Sequence, residues 1–227
     1  MQFRMKEQIL KEQMTNISHD LRTPLASILG YFELTKDEEA SEAEKSQYLK
    51  MMEKRAHWLQ VLITNYYDLA RIESGEYPLQ MSYVEVGALL VETLALFYYD
   101  FSRKQIDVEV MPADFTLKVW GDRDGLRRVL VNLMENVLKH GDKQCQVIHQ
   151  VSDQQLMTKI TNLTAKSAPV VIEQVFNRLY AADSTRNANH TGIGLTIVQL
   201  LLERMGHQVR AELDEAGWFS FIISWSR

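Results

Sequence analysis

Apolar residues at Leu10, Met14, Ile17, Leu21, Leu25, Ile28 and Phe32 recur every three or four positions, the stripe of one long amphipathic helix. The charged segment TKDEEASEAEKSQ interrupts it, and Ser41 with Glu44 three residues on forms the pattern of a capping box that opens a second helix. The second stripe runs Tyr48, Met52, Leu59, Leu62, Tyr66 and Leu69. Two such helices joined by a brief turn predict an antiparallel hairpin. A hairpin with one apolar seam cannot bury both flanks by itself, so pairing with a second copy into a four-helix bundle is expected.

The stretch SGEYPLQ, with Gly75 and Pro78, is the best linker in the chain. It divides a helical hairpin over 1–75 from a second domain over 81–227, with the linker at 76–80. Beyond it the pattern changes. VEVGALLVETLALFYYDFSRKQ reads as helix, IDVEV and LKVW as strands, DGLRRVLVNLMENVLKH as helix, and CQVIHQV and LMTKITN as strands. A helix from Gly192 to Met205 follows, then the strands QVRAEL and WFSFIISW around the turn DEAG. Strands segregated from helices predict an α+β sandwich with helices over one face of a mixed sheet. No internal repeat or low-complexity tract is visible.

Composition narrows the partners. A net charge of -5 gives no general attraction to nucleic acid or to acidic membrane surfaces, so neither is expected as the main partner. The single cysteine, Cys145, excludes an intrachain disulfide and fits a reducing compartment. No apolar run reaches the roughly 18 residues that span a bilayer. The charged start MQFRMKEQILKEQ has no signal-peptide core and reads as a helix entered midway, so a sensor or membrane anchor is expected upstream.

The chemistry begins inside the first helix, at NISHDLRTPLASI. Residues four apart share a helix face, which puts Thr23 one turn beyond His19 and Arg22 close beside it, while Asp20 is offset by roughly 100°. Pro24 cannot donate to the carbonyl of Asp20 and costs about 3 kcal/mol in a helix interior, which packing alone does not explain. An exposed imidazole leaves one ring nitrogen free as a nucleophile near neutral pH. An isolated histidine on a polar face is most simply a solvated side chain; its neighbours reverse that reading.

This stretch resembles the phospho-acceptor box of bacterial two-component sensor histidine kinases: His, acidic, Leu, Arg or Lys, Thr or Asn, Pro. The resemblance implies that His19 is phosphorylated and that Asp20 hydrogen-bonds the ring as general base. Thr23 would help to position a water that dephosphorylates the response regulator, with Arg22 in the same box, and Pro24 would bend the helix during signalling. It also implies a homodimer, a response regulator receiver domain as partner, and a cytoplasmic domain of a protein anchored in the bacterial cell membrane.

A nucleophile in the first domain calls for a phosphoryl donor in the second. In LRRVLVNLMENVLKHG the core face is Leu126, Leu130, Leu133 and Val137, while Asn132, Asn136 and His140 repeat every four residues on another face, with Lys139 adjacent. An amide oxygen suits a hard cation such as magnesium, and Lys139 with His140 could meet phosphate oxygens. The segment resembles the asparagine box of the same kinases and of their wider ATPase superfamily. Carried over, Asn136 would bind Mg2+, Asn132 would lie beside the phosphates of ATP, and Lys139 and His140 would reach the nucleotide. Gly192 and Gly194 in HTGIGLTIVQLL precede a helix whose N-terminal N–H groups suit phosphate. FNRLYAADSTR resembles the phenylalanine box and TGIGL the second glycine box, which adds Arg178, Thr191, Gly192, Gly194 and Leu195 to the nucleotide site, with an ATP lid between the boxes.

One element departs from the family. Where an Asp-x-Gly-x-Gly stretch is usual, this chain has KITNLTAKSAPVVIEQ, with Asn162 at the aspartate position and neither glycine. An asparagine carbonyl still accepts from the adenine amino group but forgoes a charge-assisted bond, which predicts weaker or less base-selective binding and a differently hinged lid. The departure keeps a rival open: a dimeric docking module or phosphatase-only protein impaired in ATP binding. An unrelated ATP-driven machine of the same superfamily is disfavoured, because Asn132 stands where a catalytic glutamate is needed. Cys145, and the aromatics Phe97, Tyr98, Tyr99 and Phe101, read as packing residues.

Overall fold

The structure is a computed structural model describing residues 2–112, 117–152, 155–164, 172–177 and 192–226, with 2–13, 112, 152, 155 and 173 described through their backbone alone. The chain divides into two compact units: the residues up to Ala70, and the described residues from Arg71 onward.

The first unit is the hairpin. Helix α1 runs Gln2–Thr35 with Pro24 inside it, and α2 runs Glu42–Ser74. The predicted capping box is formed: the Glu44 carboxylate accepts from Ser41 N–H at 2.8 Å and from its hydroxyl at 2.7 Å, and Ser41 Oγ accepts from Glu44 N–H at 3.3 Å. These bonds from Ser41 hold the Glu44 carboxyl below its usual range. Leu62, Tyr66 and Leu69 of α2 are buried and Ile17, Leu21 and Ile28 of α1 are half-buried, but Met14, Leu25 and Phe32 from the same stripe are exposed. Gly75, in the left-handed region at φ 81°, ends α2 where a Cβ would be strained.

The second unit carries two sheets. Strand β1, Met81–Glu85, pairs antiparallel with β3, Lys118–Asp122. Here the structure corrects the sequence expectation, because the helical pattern from Val84 starts only at α3, Val86–Arg103; pairing with β3 overrides the local signal at its first residues. The larger sheet has the order β2-β4-β5-β7-β6, from Asp107–Pro112, Gly141–Ser152, Gln155–Thr164, Trp218–Trp225 and Gln208–Leu213. Its β2–β4 pair is parallel and the rest antiparallel, so the sheet is mixed as expected.

Alternation along the strands sends Cys145, Val147 and His149, Ile160, and Phe221 and Ile223 to a buried face. Gln146, Lys159, Arg210 and Glu212 line the other. Helix α4, Arg123–His140, buries Leu126, Leu130, Leu133 and Val137 completely, and α5, Gly194–Arg204, packs beside it. Phe101 is buried with Phe97 against it, whereas Tyr98 and Tyr99 are 75% and 73% exposed. These two tyrosines therefore lie outside the core of this unit, because the helix turns them away from the face that Phe101 shares with Leu90.

Asp122 ties several parts together. Its carboxylate caps α4 by accepting from Gly125 N–H at 2.6 Å and holds Gln80 N–H at 2.8 Å. Arg204 Nη2 donates to the Gly75 carbonyl at 3.1 Å, so residues 75–80 are fastened at both ends to this unit.

Candidate functional site

The hairpin presents His19 with its side chain 76% exposed, and Nδ1 stands 3.5 Å from Asp20 Oδ1. Asp20 reaches round the helix as its offset required. Its other oxygen, Oδ2, accepts a hydrogen bond at 2.9 Å from the hydroxyl of Tyr66, which lies 46 positions away on α2. Sequence reading placed Tyr66 only in the apolar stripe; nothing local signals a bond across the hairpin. Thr23 Oγ1 donates to the His19 carbonyl at 3.2 Å, one turn back, and Arg22 is exposed. The open imidazole edge and the carboxylate beside it suit a nucleophile oriented by a base.

The second site lies in the sheet unit, where the end of α4, β5 and the start of α5 converge. A Cβ at Gly194 would stand 3.0 Å from Asn132 Oδ1, so the glycine lets the α5 N-terminus approach the asparagine helix. Gly192 takes φ 61°, and among the described residues no side chain caps the first N–H groups of α5, a helix end that suits an anion. Asn132 Nδ2 donates back to the Arg128 carbonyl at 3.0 Å, which leaves its Oδ1 facing Gly194. Asn136 is half-buried one turn on, with no hydrogen bond to its side chain among the described residues. Lys139 is exposed and pairs with Glu135 at 3.5 Å, and His140 is exposed at the end of α4. Leu195 is half-buried in the first turn of α5, and Thr196 Oγ1 donates to the Phe176 carbonyl at 2.9 Å, joining the phenylalanine-box segment to that helix.

Asn162 completes this arrangement from β5, paired opposite Cys145 and Phe219. It is 1% exposed; Nδ2 donates to the Leu163 carbonyl at 3.3 Å, and Oδ1 is buried without a hydrogen-bond partner among the described residues. A buried, unsatisfied acceptor costs about 1–3 kcal/mol, the signature of a group that awaits a donor. Gly141 lies beside it because a Cβ there would meet the Val137 carbonyl at 2.6 Å and Asn162 Cβ at 3.4 Å. Arg178, Thr191 and the expected lid lie outside the described residues.

Burial explains the remaining candidates. Cys145 is fully buried and its thiol is pushed up to about 12, which removes it as a redox group. No group of three His, Cys, Asp or Glu side chains is placed to hold a metal among the described residues, and no described helix is long and apolar enough to cross a membrane.

The protein thus has two parts, a helical hairpin with an exposed histidine beside a carboxylate and an α+β unit with a glycine turn at the start of a helix. Residues 9–75 match the His Kinase A (phospho-acceptor) domain, and residues 121–227 match the Histidine kinase-, DNA gyrase B-, and HSP90-like ATPase. The chain belongs to the sensor histidine kinases of bacterial two-component systems, and its two domains are those of a protein histidine kinase. Among its relatives, the sensor histidine kinase YcbM of Bacillus subtilis is 27% identical over 231 residues, covering 100% of this chain and 74% of that protein. The probable sensor protein PcoS of Escherichia coli is 31% identical over 89% of this chain and 44% of its own length. The chain therefore spans about three quarters of one relative and under half of the other. In fold it is similar to the Acinetobacter baumannii histidine kinase AdeS, with a TM-score of 0.69 at 18% identity over 92% of this chain and 97% of that one. It is also similar to the histidine kinase ThkA, solved in complex with the response regulator TrrA, with a TM-score of 0.76 at 21% identity over 98% of this chain and 64% of that one.

Proposed function

We propose that this chain transfers the γ-phosphoryl group of ATP to His19 and passes it to an aspartate of a response regulator receiver domain. The observation that carries the proposal is the His19–Asp20 pair, an exposed imidazole with a carboxylate 3.5 Å from its Nδ1, in a chain that also bears an ATPase-family domain. Supported by the ThkA complex, the regulator is the expected second partner, and the exposed leucines of the hairpin favour a homodimer.

In the ATPase domain the buried acceptor Asn162 Oδ1 fits the amino group of adenine, and the helix start behind the glycine turn at Gly192 fits the phosphates. The half-buried amide of Asn136 offers an oxygen to Mg2+, and Lys139 supplies a cation that can exchange Glu135 for phosphate. Magnesium supplies charge neutralisation on the transferred group. Asn132 orients beside the glycine turn, and Asp20 takes the proton from the imidazole as the N–P bond forms.

Because the two sites belong to different units, transfer requires them to meet. We place the linker at 76–80 and, because Gly75 and Gln80 are both held within the sheet unit, the pivot at the end of α2, where the two units divide. Thr23 and Arg22 border His19 where a regulator would dock, which supports a regulator phosphatase as a second activity of the same face.

The test is incubation with γ-labelled ATP and magnesium, followed by scoring of acid-labile, base-stable label. Wild-type chain takes up label and His19→Gln takes up none. Undetectable label in both, together with undetectable nucleotide binding, overturns the kinase reading in favour of a docking or phosphatase-only module.

A further inference from the structure

Resting on the reading of His19 as acceptor, we propose that Tyr66 is a positioning residue for Asp20, fixing which carboxylate oxygen faces the imidazole. The two oxygens have separate tasks. Oδ2 accepts from the Tyr66 hydroxyl at 2.9 Å, and Oδ1 stands 3.5 Å from His19 Nδ1.

Adjacent helix residues do not face one another, so a carboxylate at the position after the histidine has no intrinsic reason to stay against the ring. A second tether supplies that reason. Tyr66 is only 8% exposed as a residue, whereas the His19 side chain is 76% exposed, so the packed member of the group is the tyrosine on the opposite helix. A phenol donating to an ionised carboxylate makes a charge-assisted bond, stronger than one between neutral groups. With Oδ2 occupied, the carboxylate presents Oδ1, which selects the tautomer bearing its proton on Nδ1 and leaves the Nε2 lone pair outward.

The transfer then balances. The Nε2 lone pair forms the N–P bond to the γ-phosphorus of a nucleoside triphosphate, the bond from that phosphorus to the bridging oxygen breaks, and the nucleoside diphosphate leaves with the electron pair. The Nδ1 proton passes to Oδ1, while Tyr66 keeps its bond to Oδ2. The product ring is neutral, and no oxidant or further reactant is required.

The experiment uses the whole chain and the variants Tyr66→Phe, Asp20→Asn, their double, and His19→Gln. Tyr66→Phe keeps the buried ring and removes only the hydroxyl. Its kcat for self-labelling from γ-labelled ATP is expected to fall about tenfold with KM for ATP unchanged, since the ATP site is in the other unit. The double variant is expected to be no slower than Asp20→Asn, because Tyr66 acts through that carboxylate. In 15N spectra of the imidazoles, wild-type His19 shows the Nδ1-protonated tautomer and Tyr66→Phe shows a mixture. A mere loss of stability moves neither the tautomer ratio nor the non-additivity.

A Tyr66→Phe kcat within about twofold of wild type, losses that multiply in the double variant, or an unchanged tautomer ratio overturns the role of Tyr66 alone. Label that persists in His19→Gln, or that never appears on wild type, overturns the acceptor reading, and the role of Tyr66 with it.

Discussion

The hairpin and the sheet unit put leucines in opposite surroundings. Leu25 and Leu29 of α1 are 48% and 56% exposed, and Leu49 and Ile63 of α2 are 58% and 51% exposed. In α4, Leu126, Leu130 and Leu133 are completely buried. Two helices enclose only a seam, whereas three helices laid on a five-stranded sheet enclose a core. The sheet unit buries its leucines within one copy of the chain, and its candidate site includes the buried Asn162. The hairpin's candidate site, by contrast, includes the exposed side chain of His19.

The comparison can be broken most directly by shortening one leucine on each side. Leu133→Ala is expected to destabilise the sheet unit by about 2–5 kcal/mol, because a buried side chain leaves a cavity. Leu29→Ala is expected to change unfolding of an isolated copy by less than about 0.5 kcal/mol while weakening self-association. Denaturant melts paired with sedimentation distinguish the two; equal losses in unfolding would remove the contrast.

A smaller effect is expected at the junction of α4 and β4. Gly141→Ala places a methyl 2.6 Å from the Val137 carbonyl, within backbone that cannot yield freely. A loss of about 1–3 kcal/mol in the sheet unit follows, read from the same melts.

Asn162 sharpens the comparison at the level of the ligand. An amide offers an acceptor and a donor, so it separates adenine from guanine less well than a carboxylate, which only accepts. Asn162→Asp is expected to raise the preference for ATP over GTP about tenfold, measured by competition with a fluorescent nucleotide. Equal preference in both proteins overturns this account, while failure of either protein to bind the fluorescent nucleotide counts against the site itself.

The smallest effect is on pH dependence. His207 is 2% exposed, its Nδ1 accepts from Ser226 N–H at 3.1 Å, and burial lowers its pKa. The unfolded chain binds that proton more readily, so this contribution to stability is full above the unfolded pKa and is lost as pH falls from there through the lower folded pKa. The melting temperature of the sheet unit is expected to drop as pH falls below about 6.5, and His207→Gln is expected to flatten that part of the curve. An unchanged slope in the variant would assign the dependence to other groups.

Local rules and long-range pairing divide what could be read from the sequence. The capping box of Ser41 and Glu44, the buried face of α4 and the sharing of a turn by His19 and Thr23 depend on neighbours within four positions, so residue order alone determined them. The short strand Met81–Glu85 could not be read in the same way, because its partner Lys118–Asp122 is distant in sequence and its last residues suit a helix equally well. Asn162 was visible as a departure from a family pattern. Its buried Oδ1, without a hydrogen-bond partner among the described residues, became visible only when β4 and β7 closed around β5 and Leu163 took the amide nitrogen. Tyr66 marks the limit most clearly. By sequence it is one apolar position in a stripe, but the turn between α1 and α2 fixes their stagger, and that stagger alone brings its hydroxyl to Asp20.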